Sequence, residues 1–403
     1  MFTQQEKLDI KKNYDEVLAR LKDKHIGCFR GYSAPVFFIS DTYPGIWLEH
    51  AYDALFFAKM EPEYLPVAKN TLMLFIDKQK DSGQLPCFVI NPAKNDGGFP
   101  PVGYSQTQEC VSFARLCYEY WELSGDDEFL VLAFDACEKW VRWQEEKRMT
   151  LGTGLMEMFC GYDTGHDNSG RLEGLLYQHS CKDADAENYP EGDPYLPILA
   201  PDMNAVFYGS LSALAAMAKA LGRKEEEELY AKKAEKVKEK LFRLCYDPDD
   251  AFFYDVDRLG NKRKYLSISI TNLYCEKVLD KDVAEEIYQK HLKNEDEFWT
   301  PFPFPAMAKS DKSFRQNLPG NSWGFYSQGL TILRLTRWMD HYGKGADFDL
   351  ILEKWLRQWT YSETVRFGQE LHPIEGTPSE CSAWYSSCML LYLYGVRRLH
   401  ILD

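Results

Sequence analysis

Helical periodicity recurs along this chain from one end to the other, and no other feature narrows its fold as much. The spacing i, i+3, i+4 and i+7 is clearest in 204–221, and twelve stretches carry helical periodicity. They predict helices at 3–22, 46–59, 63–80, 106–123, 127–146, 204–221, 224–242, 265–277, 281–293, 323–341, 346–360 and 382–398. The stretch NAVFYGSLSALAAMAKAL (204–221) is almost uncharged, while RKEEEELYAKKAEKVKEKLF, after Gly222, is about two-thirds charged with one apolar stripe. A helix that is apolar all round belongs inside, and a striped one belongs at the periphery. Short connections fold 106–123 with 127–146, and 204–221 with 224–242, into helical hairpins. Six such pairs, inner then outer, predict an all-α (α/α)6 toroid. No Gly/Ser linker divides the chain, so 1–403 is expected to form one domain.

Composition narrows the partners. The net charge of −15 argues against nucleic acid and against an anionic membrane, which both reward Lys and Arg. The N-terminal MFTQQEKLDIKKNYDEVL has no apolar core of a signal peptide, and no apolar run approaches the roughly 20 residues of a membrane span. Eleven cysteines lie among apolar neighbours without a Cys-x-x-Cys pair. Reduced thiols in a cytoplasm are expected, with neither a zinc site nor any other metal or cofactor. Aromatics make up 15% of the residues, and surplus Tyr and Trp suit sugar sites as well as cores. Oligomeric state is left open.

Long non-helical pieces at 24–45, 83–105, 147–203, 243–264, 294–322 and 361–381 would gather at one rim of a toroid and build a pocket. The longest holds GYDTGHDNSGR (161–171). A calcium loop needs acidic ligands at alternate positions, whereas Asp163 and Asp167 are four apart and Gly165 fills a ligand slot. Two readings stay open on the residues alone: ordinary turn chemistry, or a loop that presents an acid.

The stretch DNSGR (167–171) resembles the Asp-x-Ser-x-Arg signature of trehalases and of glycoside hydrolase family 63, a group that includes mannosylglycerate and glucosylglycerate hydrolases. Three further stretches fall in that group's order. PDMNAVFYGSLSALAAMAKALG (201–222) resembles its Asp-Leu-Asn segment. WLEHAYDALFFA (47–58) resembles its early Trp-Asp segment, with Tyr52 where Trp is usual. QELHPIEGTPSECSAWYSSCMLLYLYG (369–395) resembles the segment that supplies the second carboxylate. The resemblance runs from about residue 45 to the C-terminus and implies the (α/α)6 barrel that the helix count reaches separately.

It also implies an inverting glycosidase acting on a small α-glucoside or α-mannoside. Asp167 would be the general acid and Glu370 the general base, with Glu375, Glu363 and Glu380 as competitors for the base. An acid must keep its proton near neutral pH, and Asp163 is expected to help if it folds back on Asp167. Asp53, Gln108, Asn168, Arg171 and Asn204 would bind or orient the sugar, and Tyr52, Trp323, Tyr326, Trp384 and Tyr385 would line its faces. Asp202 is read as a helix N-cap or a ligand. The resemblance implies no cofactor and a small carbohydrate partner. Three alternatives differ in class or chemistry. One is a sugar epimerase of the N-acylglucosamine 2-epimerase type, with proton transfer by two of His50, His166, His179 and His372. The others are an unsaturated glucuronyl hydrolase and a non-catalytic carbohydrate-binding toroid.

Overall fold

A computed structural model describes residues 2–402 except Arg30, Asp96, Tyr177, Pro190, Glu191, 316–320 and Ser322. Among them are twelve α-helices: α1 (Gln4–Lys24), α2 (Ala51–Met60), α3 (Leu65–Ile76), α4 (Phe113–Ser124), α5 (Asp127–Lys147), α6 (Pro201–Ala220), α7 (Lys224–Cys245), α8 (Thr271–Cys275), α9 (Lys281–Ile287), α10 (Gly329–Arg334), α11 (Gly345–Tyr361) and α12 (Ser386–Arg398). The even-numbered helices touch in a circle. Contacts run α2 to α4, α4 to α6, α6 to α8, α8 to the 3-10 turn that extends α10, α10 to α12, and α12 back to α2. Odd-numbered helices pack outside, with α3 on α2, α5 on α4, α7 on α6 and α11 on α12. This closed ring is the (α/α)6 toroid.

The alternation follows burial. Most of α6 is buried, whereas the charged α7 buries only the stripe Tyr230, Ala234, Val237, Leu241 and Cys245. Gly209 lets α6 approach its neighbour, because a Cβ there would lie 2.1 Å from Glu276 Oε2. No helix among the described residues is long and apolar enough to cross a membrane.

Every inner helix except α6, which starts at Pro201, starts later than the periodicity predicts. The stretches expected at 106–123, 323–341 and 382–398 become helical only at Phe113, Gly329 and Ser386. α8 is a short remnant of 265–277, and α9 passes into a π turn at Tyr288–Leu292. The residues ahead of α4 and α10 are turned into loop and strand. Ser327–Gln328 pairs antiparallel with Glu370–Leu371, and Gly45–Trp47 pairs with Phe88–Ile90. Those diverted segments converge on one rim.

Candidate active site

At that rim lies a cavity of about 550 Å³. Its wall comes from the segments just ahead of the inner helices: Glu49 and His50 before α2, Gln106 and Gln108 before α4, Tyr385 before α12. Trp47, Tyr43, Phe88, Phe99 and Trp323 supply aromatic faces. Asp167, Asn321 and Gln369 supply polar ones.

Asp167 reaches the cavity because the loop behind it is pinned. Asp163 is fully buried, paired with Arg148 at 2.9 Å, and accepts from the amides of Phe159, Cys160 and Thr107. Gly165 turns the chain with φ +67, where a Cβ would meet Cys110 Sγ at 2.7 Å. The Trp323 amide then donates to the Asp167 carbonyl at 2.9 Å. The turn reading and the acid reading of this loop are therefore one arrangement: the turns hold the loop while Asp167 faces the cavity.

Burial pushes the Asp167 carboxyl up to about 8, and the nearby Glu49 carboxylate pushes it the same way, against a 2.7 Å hydrogen bond donated by Asn321 Nδ2. The expected helper, Asp163, is committed to Arg148; the charge that acts on Asp167 is Glu49. Glu49 itself accepts from Arg334 at 2.6 Å and from Gln108 Nε2 at 3.3 Å. Burial opposes its charge, but His50 and Arg334 hold it below the ordinary carboxylate range. Two carboxyls thus share one cavity with opposite tendencies, which suits a proton donor beside a fixed charge.

Glu370 is fully buried just behind the wall, next to the lining residue Gln369. It accepts from Ser379 Oγ at 2.8 Å, from the Asn321 amide at 3.2 Å and from Gln328 Nε2. Asn321 therefore touches both carboxyls, the Asp167 side chain through its own side chain and Glu370 through its backbone. The competitors Glu363, Glu375 and Glu380 are exposed to solvent.

Of the other expected residues, Gln108, Trp323 and Tyr385 line the cavity. The rest lie elsewhere, each for a local reason. Asp53 sits one turn further along α2 than Glu49 and accepts from Ser386 and Ser387, so it joins α2 to α12. Tyr52 points to the far end of the barrel, its hydroxyl against Thr336. Asn168 has φ +55 and lines a shallow recess with Ser313 and Arg315. Asn204 is buried and bonds Met156 N, Met156 O and Ala200 O, tying the start of α6 to the residue ahead of the strand Glu157–Met158. Tyr326 packs by His372, and Trp384 lies beneath the guanidinium groups of Arg20 and Arg366.

Arg171 also does not reach the cavity. It is buried with Asp202 at 3.0 Å and Asp255 at 3.6 Å, so Asp202 is neither cap nor ligand but half of an ion pair. Removing Arg171 leaves two buried carboxylates without their cation, which typically costs about 3–5 kcal/mol. Arg171→Met is therefore expected to lower the urea midpoint sharply at an unchanged slope, and an unaltered midpoint contradicts this role.

Among the histidines, His50 lines the cavity, bonded to Tyr385 Oη. His166 is buried behind Trp323, His179 stacks on Tyr162, and His372 packs against Phe325. The paired cavity histidines that an epimerase needs are not assembled among the described lining residues. Sequence reasoning missed Glu49, Trp47, Tyr43, Asn321 and Gln369. For Glu49 the signal was present, a carboxylate one helical turn from Asp53 on the same face.

A family model described as the mannosylglycerate hydrolase MGH1-like glycoside hydrolase domain matches residues 43–386. The mannosylglycerate hydrolase of glycoside hydrolase family 63 from Thermus thermophilus, solved with Tris and D-glycerate, superposes with a TM-score of 0.71 at 17% identity, over 96% of this chain and 99% of that one. Neutral trehalase Nth1 from Saccharomyces cerevisiae gives 0.65 at 14% identity, over 91% and 74%. An uncharacterized protein of Borreliella burgdorferi is 22% identical over 262 residues, 64% of this chain; the match spans about half of that relative's length, 48%.

Proposed function

We propose that this chain, which belongs to the mannosylglycerate hydrolase MGH1-like glycoside hydrolase family, cleaves a small neutral α-glucoside or α-mannoside with inversion of configuration. Asp167 protonates the leaving oxygen and Glu370 activates water on the opposite face of the sugar. The observation that carries the reading is the Asp167 carboxyl, facing the cavity, where burial pushes it up to about 8 and so favours a proton donor. Asn321 supports the pairing. With roughly 4 Å between the two nitrogens of one asparagine, the bonded oxygens of Asp167 and Glu370 are at most about 10 Å apart. The roughly 6.5–9.5 Å of inverting enzymes falls within that limit.

Charge narrows the substrate. The described lining residues include Glu49 and Asp167 but no Lys or Arg. A carboxylate-bearing aglycone such as the glycerate bound by the Thermus enzyme would meet the Glu49 carboxylate and no cation among the described lining residues. The aromatic walls suit a neutral sugar instead. The eleven free thiols, nine of them buried, favour a reducing compartment such as the cytoplasm.

A panel of neutral and carboxylate-bearing α-glucosides and α-mannosides, followed by proton NMR of the released sugar, tests this reading. Neutral substrates are expected to turn over faster, by at least about tenfold in kcat/KM, with the β-anomer appearing first. An initial α-anomer contradicts inversion, and a preference for the carboxylate series contradicts the charge argument.

A further inference from the structure

The inner helices run between two ends of the barrel. Glu49, Gln108, Leu330 and Tyr385 lie at the N-terminal ends of α2, α4, α10 and α12 and line the main cavity. Lys59, Arg115, Arg337 and Tyr394 lie further along the same elements and line a second cavity of about 420 Å³. The second cavity is therefore at the opposite end, and its charge is opposite too.

Among the described residues, Lys59, Arg115, Lys277 and Arg337 are set against only two acids, Glu119 and Glu276. Glu119 takes Lys59 and Arg337, the latter at 3.2 Å. Glu276 takes Arg115 at 2.7 Å and Arg337 at 3.7 Å. Two positive charges remain uncompensated in a chain whose net charge is −15. The Lys277 ammonium makes no hydrogen bond or ion pair among the described residues, and the Arg337 Nε is buried without a partner. Burial, with Arg115 and Arg337 facing it, depresses the Lys277 ammonium, as a surplus of like charge must. Helix C-termini favour Lys59, in the last turn of α2, and Lys277, just past α8, but Arg115 lies in the first turn of α4, so the helix dipole does not explain the surplus.

We propose that this second cavity binds a small dianion of the phosphate class, held by Lys277 and the guanidinium groups of Arg115 and Arg337. A phosphate group brings two negative charges and acceptors on several sides, which matches two forked donors and one ammonium around a recess. Inorganic phosphate and a phosphate monoester share this chemistry, and both are used as probes.

Isothermal titration of the full chain with inorganic phosphate, and separately with glucose 6-phosphate, tests the site in chloride buffer. Saturable binding of one ligand per chain is expected for at least one probe, and the tighter probe identifies the source. Lys277→Gln is expected to weaken it at least about tenfold, and Asp167→Asn to leave it intact. The Lys277 side chain holds no other group among the described residues, so its substitution spares the fold. Absence of saturable heat with both probes overturns the proposal. So does equal affinity in Lys277→Gln, which would place the ligand elsewhere.

Discussion

Asp167→Asn is expected to cut turnover of an unactivated α-glycoside by roughly 10²–10⁴-fold while leaving the fold intact, because general acid catalysis is worth about that much. The fold should hold, since the anchors of the loop are Asp163, Arg148 and backbone amides, not the Asp167 carboxylate. A nitrophenyl glycoside should lose far less, as its leaving group departs without protonation. Full activity on unactivated substrates would remove Asp167 from the acid role. The pH profile is a second readout. An acid that titrates at about 8 must be protonated to work, so kcat/KM should fall above pH 8, about tenfold per unit. Glu49→Gln removes a charge that raises Asp167, so the alkaline limb should move to lower pH. Burial remains, so the limb should stay above the ordinary carboxylate range.

The contrast between Glu49 and Asp53 explains what the sequence could and could not disclose. Periodicity of 3.6 residues located the inner and outer helices, because each is defined by which faces it buries. The same periodicity is blind to direction along the axis. Glu49 and Asp53 are one turn apart on one face, yet one faces the cavity and the other clamps α2 to α12. The starts of the inner helices were misplaced for a related reason. The predicted helix takes in residues 106–112, but Gln108 has φ +53 and the chain ahead of Phe113 serves the cavity wall. In the acid loop, Asp167, Asn168 and Arg171 are near neighbours in sequence, but they face a cavity, a recess and a buried ion pair. Only tertiary contacts decide among those directions. Asn321, which joins the two proposed catalytic carboxyls, belongs to no periodic segment and carried no signal.

Glu370→Ala is expected to abolish hydrolysis, by at least about 10²–10⁴-fold, and to regain turnover in azide by forming a glycosyl azide of inverted configuration. The small anion would enter where the activated water otherwise attacks, with Asp167 still able to protonate the leaving oxygen. Glu49→Ala provides the decisive contrast. Glu49 lines the same cavity but is held by Arg334, and removing it leaves a buried guanidinium unpaired. It should lose activity and stability together without azide rescue. Rescue of Glu49→Ala and not of Glu370→Ala would transfer the base to Glu49. Asn321 separates the outcomes further. Its amide holds Glu370 and its side chain holds Asp167. Asn321→Ala keeps the backbone donor but frees Asp167 from a hydrogen bond that favours its charged form. The acid should then titrate higher, extending activity to more alkaline pH while the azide behaviour of Glu370→Ala stays the same.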